Sequence, residues 1–266
     1  MEADWLKLWR EISIAHPHAP TGDSMKRYKV HARQGHERPD PLLDFVIDSI
    51  DSNATVLDIG SGSGRWAIPL ARKAKSVTAV EPSDEMLEVI RGKAQSGPGN
   101  ITLVKSSWEN ANIGVHDIAV CAHAMYSSPD LALFVHKMEH HASRSCYMAI
   151  RLPPADGVIS ELYNAIHGSI YDSTNAIMAY NALYSMGIYA NVLIEKGIVH
   201  WTNDTLEEAL ARAKRHLYLE SDNNKYDKLI QDTLKKRLTP ADNEYIWPDG
   251  MRSALLYWNP TDFKRI

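Results

Sequence analysis

The sequence predicts an α/β fold on a largely parallel sheet, and three observations carry that expectation. Five short apolar and β-branched runs lie at 55–59, 76–80, 101–104, 116–122 and 146–151, with helical patterns between most of them. Strands alternating with helices need crossover connections, which pair the strands in parallel and cover both sheet faces. Three glycines alternating with serines, Gly60 to Gly64, stand where the first run passes into a helix. The third observation is size: 266 residues, 44% hydrophobic and 23% charged, can bury a sizeable core without disulfides.

Residues 1–38 read as a helical arm broken by turns. Trp5, Leu8, Trp9 and Ile12 recur at helical spacing, and the prolines and glycine of 16–22 end that helix. A second helix is expected from Pro41 through Leu42, Phe45, Val46 and Ile50, with proline in its first turn. Helices are then expected from Trp66 to Lys75, through Met86 to Ile90, and from Leu131 to His140. Beyond Leu152-Pro153-Pro154 the pattern turns helical, over Ile159 to Ile170 and Asn175 to Met186, before a strand region from Ala190 to Trp201. Thr205-Leu206-Glu207-Glu208 matches a capping box and opens a helix through Leu210, Ala213 and Leu217. A polar helix from Tyr226 to Leu238 follows, and Ser253 to Trp258 reads as the last strand. The expected organisation is an arm or lid over 1–38 and a main domain over 39–266, with helical insertions near 155–188 and 203–240.

Composition narrows the function. The net charge of −4, with Lys and Arg scattered along the chain, argues against an extended nucleic-acid surface. Cys121 and Cys146 are too few for a disulfide framework or a thiolate metal site. The 12 histidines include the neighbours His140 and His141, which do not face one way on a helix, so no metal is expected. The run Lys235-Lys236-Arg237 reads as a solvated helix end. No run approaches the ~18 apolar residues of a membrane span, and the start Met-Glu-Ala-Asp-Trp does not resemble a secretory leader, so a cytoplasmic protein is expected. Composition leaves both monomer and homodimer open.

The glycine turn carries the chemistry. Glycine adopts torsions that other residues resist and lets a ligand approach the main chain. A dinucleotide fingerprint needs glycine at its sixth place, where Arg65 stands, and a phosphate-binding P-loop needs a Gly-Lys-Ser/Thr ending that is absent. Instead, Asp58 to Gly64 resembles the first motif of class I S-adenosylmethionine-dependent methyltransferases. Ala79-Val80-Glu81-Pro82-Ser83-Asp84-Glu85-Met86-Leu87 is similar to that family's acidic second-strand end, and Val115 to Val120 to its fourth strand. The resemblance covers roughly residues 40–152. It implies a Rossmann-like, seven-stranded sheet with an antiparallel tail, S-adenosyl-L-methionine as cofactor and S-adenosyl-L-homocysteine as product.

On that resemblance, Gly60, Ser61 and Gly62 pass beside the methionine part of the cofactor, and Glu81 accepts from both ribose hydroxyls. Asp58 organises the glycine turn rather than touching ligand. Pro82 follows the acidic residue, and Met86 offers adenine an adaptable apolar surface. Ser107, Trp108 and Glu109 meet the adenine edge, although many family members carry Asp where Ser107 stands; Trp108 as a core edge is the alternative. Ala122 and His123 border the methyl group.

Transfer from a sulfonium is an in-line displacement, so alignment and desolvation supply much of the catalysis. His123 and then Tyr126 are the candidate catalytic bases, with pocket lining as the other role for His123. The segment Ala122-His123-Ala124-Met125-Tyr126 lacks the Asn-Pro-Pro-Tyr motif of many amino-group enzymes acting on nucleic acids and proteins. A small-molecule acceptor is therefore expected, with an RNA or protein methyltransferase and a non-catalytic cofactor-binding module as the alternatives. Trp5, Trp9, Tyr28, Tyr163, His167, Tyr171, Tyr180 and Tyr184 are expected to line the acceptor pocket, or else to pack helices or a dimer contact.

Overall fold

The computed structural model describes residues 4–15, 39–95, 97–153, 157–168, 173–196 and 199–260. The turn at 16–22, Tyr28 and Tyr171 lie outside the described residues. The chain divides into two compact units, one of 1–151, 174–195 and 253–266, the other of 152–173 and 196–252. The insertion expected at 155–188 is shared between them.

The first unit is built on a seven-stranded sheet. Its parallel strands are β1 (Thr55–Ile59), β2 (Ser76–Glu81), β3 (Ile101–Lys105), β4 (His116–Ala122) and β5 (Ala142–Arg151). β6 (Asn191–Ile194) and β10 (Ser253–Trp258) complete the order β3-β2-β1-β4-β5-β10-β6. β10 runs antiparallel to both β5 and β6. β1 is hydrogen-bonded on both sides, Asp58 opposite Ala79 and Val120, which explains why Val56, Leu57 and Ile59 are sealed from solvent. All five parallel strands end at one edge, where ligands bind in open α/β sheets.

One sheet face is covered by α2 (Pro41–Ser49), whose Leu42, Leu43 and Val46 pack with Val56, Val77, Val120 and Leu255. Asp40 caps that helix by accepting from the Leu43 amide, and Pro41 occupies its first position. The same carboxylate accepts from the Trp66 indole at 3.0 Å and from the Arg65 guanidinium, which ties the helix start to the exit of the glycine turn. The short α3 (Ala67–Ala71) and α4 (Asp84–Gln95) make the crossovers. α5 (Leu131–His140) lies against β5, and α1 (Trp5–Ala15) packs on α5 and on α7 (Ala176–Ser185).

Of the two roles expected for Trp9, pocket lining and helix packing, it takes the second. It is fully buried, and its indole N–H donates to the Ser128 carbonyl at 2.9 Å. A buried indole needs such a partner, and the bond fastens α1 to the loop after β4. Tyr180 and Tyr184 belong to this unit, and Tyr184 is exposed against Tyr189.

The second unit holds α6 (Val158–His167), α8 (Leu206–His216) and α9 (Asp227–Arg237) with a three-stranded antiparallel sheet. That sheet comprises β7 (Val199–Asn203), β8 (Thr239–Ala241) and β9 (Glu244–Met251), in the order β7-β9-β8. Its core joins Ile159, Leu162, Ala213, Ile230, Leu234 and Trp247, with Tyr163 packed against them. Tyr163 and His167 face each other at 4.3 Å, and His167 also meets the Leu217 carbonyl. Lys214 is buried and paired with Asp227 at 2.7 Å.

Candidate active site

The loop after β1 shows why glycine is required there. Gly60, Gly62 and Gly64 all have positive φ, at 69°, 52° and 80°. A Cβ on Gly60 would sit 2.2 Å from the Ala124 Cβ, so the glycine turn and the loop after β4 are in direct contact. The amides of Gly60 and Ser61 donate to the Val80 carbonyl, at 2.9 and 3.1 Å. The turn is thus anchored to the end of β2.

Glu81 ends β2 and organises the site. Its Oε2 accepts from the Gly62 amide and its Oε1 from the Ser83 amide, each at 2.9 Å. Each carboxylate oxygen keeps further acceptor capacity. Burial raises the Glu81 pKa, and the two amide bonds partly oppose that. Asp58 lies 1% exposed near it, bonded by the Ala67 amide, with its pKa pushed up to about 7 by burial and by the Glu81 charge.

Two acidic side chains buried beneath the glycine turn oppose a phosphate and favour a ligand carrying positive charge. Asp58 Oδ2 and Ser61 Oγ are buried without a hydrogen-bond partner among the described residues. Orphaned buried oxygens of this kind are costly unless a ligand or water satisfies them.

The titration of Asp58 gives a pH signature. Its folded value lies above the ordinary 3.8, so the folded state holds an extra proton between those values. Its contribution to stability therefore falls as pH rises through that window. His123 acts in the opposite sense, because its folded value of about 3 lies below the ordinary 6.5. The Asp58→Asn variant removes only the first contribution. Its stability relative to wild type is expected to increase from about pH 4 to about pH 7 and then level off, as read by urea denaturation. A difference that does not vary with pH would show Asp58 titrating as an ordinary carboxylate.

The remaining residues expected at the cofactor site divide into two groups. Ser107 and Glu109 stand in the loop after β3, where Ser107 Oγ accepts from Asn110 at 3.1 Å and Glu109 is exposed. Pro82 is exposed and Ala122 is half-buried. Met86 and Trp108, by contrast, turn into the core, at 3% and 6% exposure. The Trp108 indole donates to the Phe134 carbonyl at 3.2 Å and its ring packs against Phe134 and His141, so it serves as the core edge. Sequence reasoning missed Lys137 here. Its ammonium donates to the carbonyls of Trp108, Glu109 and Ala111 at 2.7, 3.0 and 2.8 Å, clasping this loop to α5.

Beyond β4 a second cluster forms. His123 has φ 59°, a left-handed conformation uncommon outside glycine, and its amide donates to the Ala149 carbonyl. Its Nδ1 lies 2.9 Å from Tyr126 Oη, and its Nε2 lies 3.4 Å from Ser253 Oγ. The Arg151 amide donates to the same Tyr126 oxygen at 2.8 Å. Burial, then the Arg151 and Arg65 charges, push the His123 pKa down to about 3, so the ring is neutral at physiological pH. The Tyr126 hydroxyl then donates to Nδ1, and the ring proton sits on Nε2, toward Ser253. Burial also raises the Tyr126 pKa. Desolvation and two guanidinium groups thus leave His123, the first candidate base, a weak one.

Residues 56–144 match the family model described as a methyltransferase domain, from the second residue of β1 into β5. Over these residues the chain carries a methyltransferase domain, on the fold of the class I S-adenosylmethionine-dependent enzymes. An uncharacterized protein of Haemophilus influenzae is 25% identical over 216 residues, 79% of this chain and 78% of that protein. The ribosomal RNA small subunit methyltransferase A of Magnetococcus marinus is 36% identical over 111 residues, 38% of each chain. The ubiquinone biosynthesis O-methyltransferase of Vibrio parahaemolyticus is 30% identical over 93 residues, 33% of this chain and 40% of its own. The matches to these two named relatives thus span about two fifths of their length. A candidate methyltransferase from Bacillus halodurans shares the fold, with TM-score 0.58 and 17% identity, covering 82% of this chain and 96% of its own.

The methyltransferase domain uses S-adenosylmethionine as its methyl donor. The residues present fit that group: paired acids suit its positive charges, and the unpartnered oxygens of Asp58 and Ser61 suit a polar ligand. Among the described residues no three His, Cys, Asp or Glu are grouped to hold a metal ion. No helix among them is long and apolar enough to cross a membrane.

Proposed function

We propose that the protein transfers the methyl group of S-adenosylmethionine to a small-molecule acceptor in the cytoplasm. The observation that carries this reading is the direct contact between two loops. The glycine turn with Glu81 and Asp58 meets, at Gly60 and Ala124, the loop that bears His123 and Tyr126. When bound, the cofactor supplies an electrophilic methyl group on a sulfonium. Gly60, Ser61 and Gly62 would hold its amino-acid part, Glu81 its ribose, and Ser107 and Glu109 its adenine edge. Ala122 and His123 would flank the reacting end.

In this reading His123 positions rather than deprotonates. Held between Tyr126 and Ser253, the neutral ring fixes the shape of the loop beside the transfer site, and Tyr126 keeps its proton. An acceptor that loses its proton easily, or reaches the site already ionised, needs no stronger base than this. The scattered cationic residues and the loop sequence Ala122 to Tyr126 favour a small acceptor over a nucleic acid. Cys121 and Cys146 are both buried and free, which suits a reducing compartment.

Two measurements test the reading. Calorimetry should show saturable binding of both S-adenosylmethionine and S-adenosylhomocysteine. Methyl-labelled cofactor, offered with a panel of small hydroxyl, amine and thiol compounds beside total RNA and protein, should label solvent-extractable products. Label in acid-precipitable RNA or protein would replace the small acceptor with a macromolecule. Absence of binding by both cofactor forms would remove the cofactor-dependent activity altogether.

A further inference from the structure

Strand β5 ends beside the loop that bears Tyr126. The strand is buried from Cys146 to Ile150 and then ends on a half-buried Arg151. The Arg151 guanidinium carbon lies 4.6 Å from the centre of the Tyr126 ring. Stacking on a ring occupies the face of a guanidinium and leaves its in-plane N–H groups for other acceptors; one of them meets the Tyr126 hydroxyl, and the rest remain for a ligand. Among the described residues no carboxylate lies within ion-pair distance of Arg151.

The carboxylates at this edge of the sheet are committed elsewhere. Asp40 takes Arg65, the Trp66 indole and the Leu43 amide. Glu195 Oε2 takes the Ser253 amide at 3.1 Å. The Arg151 charge reaches His123 and lowers its pKa, whereas the Arg65 charge there is opposed by Asp40. A half-buried cation with no counter-ion is unfavourable until an anion meets it. One planar fork of donors matches one carboxylate in a bidentate pair, whereas a phosphate is normally met by several donors. Ser253 pairs in register with Arg151 on the neighbouring strand and adds a hydroxyl on the same side.

We propose that Arg151, backed by Tyr126 and Ser253, binds a carboxylate of the methyl acceptor, which is therefore a small organic acid. The proposal rests on the methyl-transfer reading for the word acceptor, but the anion site itself is tested without turnover. The full-length protein, saturated with S-adenosylhomocysteine, is titrated with benzoate, benzamide and phenyl phosphate by calorimetry or ligand-observed NMR. Benzoate is expected to bind roughly tenfold or more tightly than benzamide, the share of one charge-assisted pair. Arg151→Met should remove that preference, and Arg151→Lys should restore part of it.

Equal binding of benzoate and benzamide to wild type would overturn the proposal, and so would an undiminished preference in Arg151→Met. Tighter binding of phenyl phosphate than of benzoate would overturn the carboxylate assignment. The wild-type comparison decides even if Arg151→Met fails to fold. Failure of the methyl-transfer reading looks different: the benzoate preference would persist, in protein without the cofactor product, while S-adenosylhomocysteine binding and label transfer were both absent.

Discussion

Glu81→Ala is expected to lower the affinity for S-adenosylhomocysteine by roughly 100-fold or more, with little change in thermal stability above neutral pH. The loss in binding follows from the geometry. Glu81 is the acceptor for the Gly62 and Ser83 amides, so truncation removes the proposed ribose contact and frees the turn proposed to hold the amino-acid part of the cofactor. Hydrogen bonds to a charged group are worth about 1.5–3 kcal/mol each, and two of them cover that factor. Stability is buffered because Glu81 also raises the pKa of Asp58. Removing its charge relieves that repulsion and offsets the lost amide bonds. Glu81→Gln separates the effects, since it keeps the side-chain shape but faces one amide donor with another. Calorimetry together with a melting curve checks both halves. A fall in melting temperature large enough to account for the weaker binding would assign Glu81 to loop folding instead.

The features legible in the sequence are those written in local pattern. Strand β1, the glycine turn and Glu81 form one short constellation in which residue type and spacing both matter, and α5 emerges over the expected residues Leu131–His140. The Thr205 cap is likewise visible: its side chain accepts from the Glu208 amide at 3.2 Å. The hairpin of β8 and β9 is not visible. Pro240, Pro248 and Gly250 interrupt its alternation, and only pairing with β7 reveals it. The expected helix from Trp66 to Lys75 is cut to Ala67–Ala71, where the chain leaves the glycine turn and must soon enter β2. Residues that act across long sequence separations escaped as well. Asp40 serves Arg65 and Trp66, and Lys137 serves three carbonyls 26 to 29 residues earlier. Arg151 carried a readable signal, a charge closing an apolar strand, but its lack of a counter-ion among the described residues needs the fold.

Burial also decides which aromatic and titratable groups are available to a ligand. Trp9 and Trp108 resemble pocket residues in composition, yet each indole N–H is used by a backbone carbonyl inside the core. His123 resembles a base, yet the groups that hold it in place also weaken it as one. The proposed site therefore combines the acids Glu81 and Asp58, the second of which titrates at about 7, with the cation Arg151, and His123 and Tyr126 set its geometry.

Gly60→Ala tests whether the two halves of the site are mechanically one. The substitution meets two independent obstacles. The torsion at φ 69° disfavours any Cβ, and the new methyl would lie 2.2 Å from the Ala124 Cβ, well inside contact distance. Ala124 cannot yield freely, because the preceding His123 is held by the Ala149 carbonyl, Tyr126 and Ser253. Strain at a left-handed position adds about 1–2 kcal/mol, and overpacking in a fixed environment adds about 1–3 kcal/mol. The variant is expected to lose about 2–5 kcal/mol of stability by urea denaturation and to bind S-adenosylhomocysteine too weakly for calorimetry. The double variant Gly60→Ala with Ala124→Gly removes the methyl clash but keeps the torsional strain. It should regain part of the stability, and the size of that recovery measures the coupling between the loops. If the second substitution restores nothing, the torsion alone carries the cost and the contact with the His123 loop has no part in it.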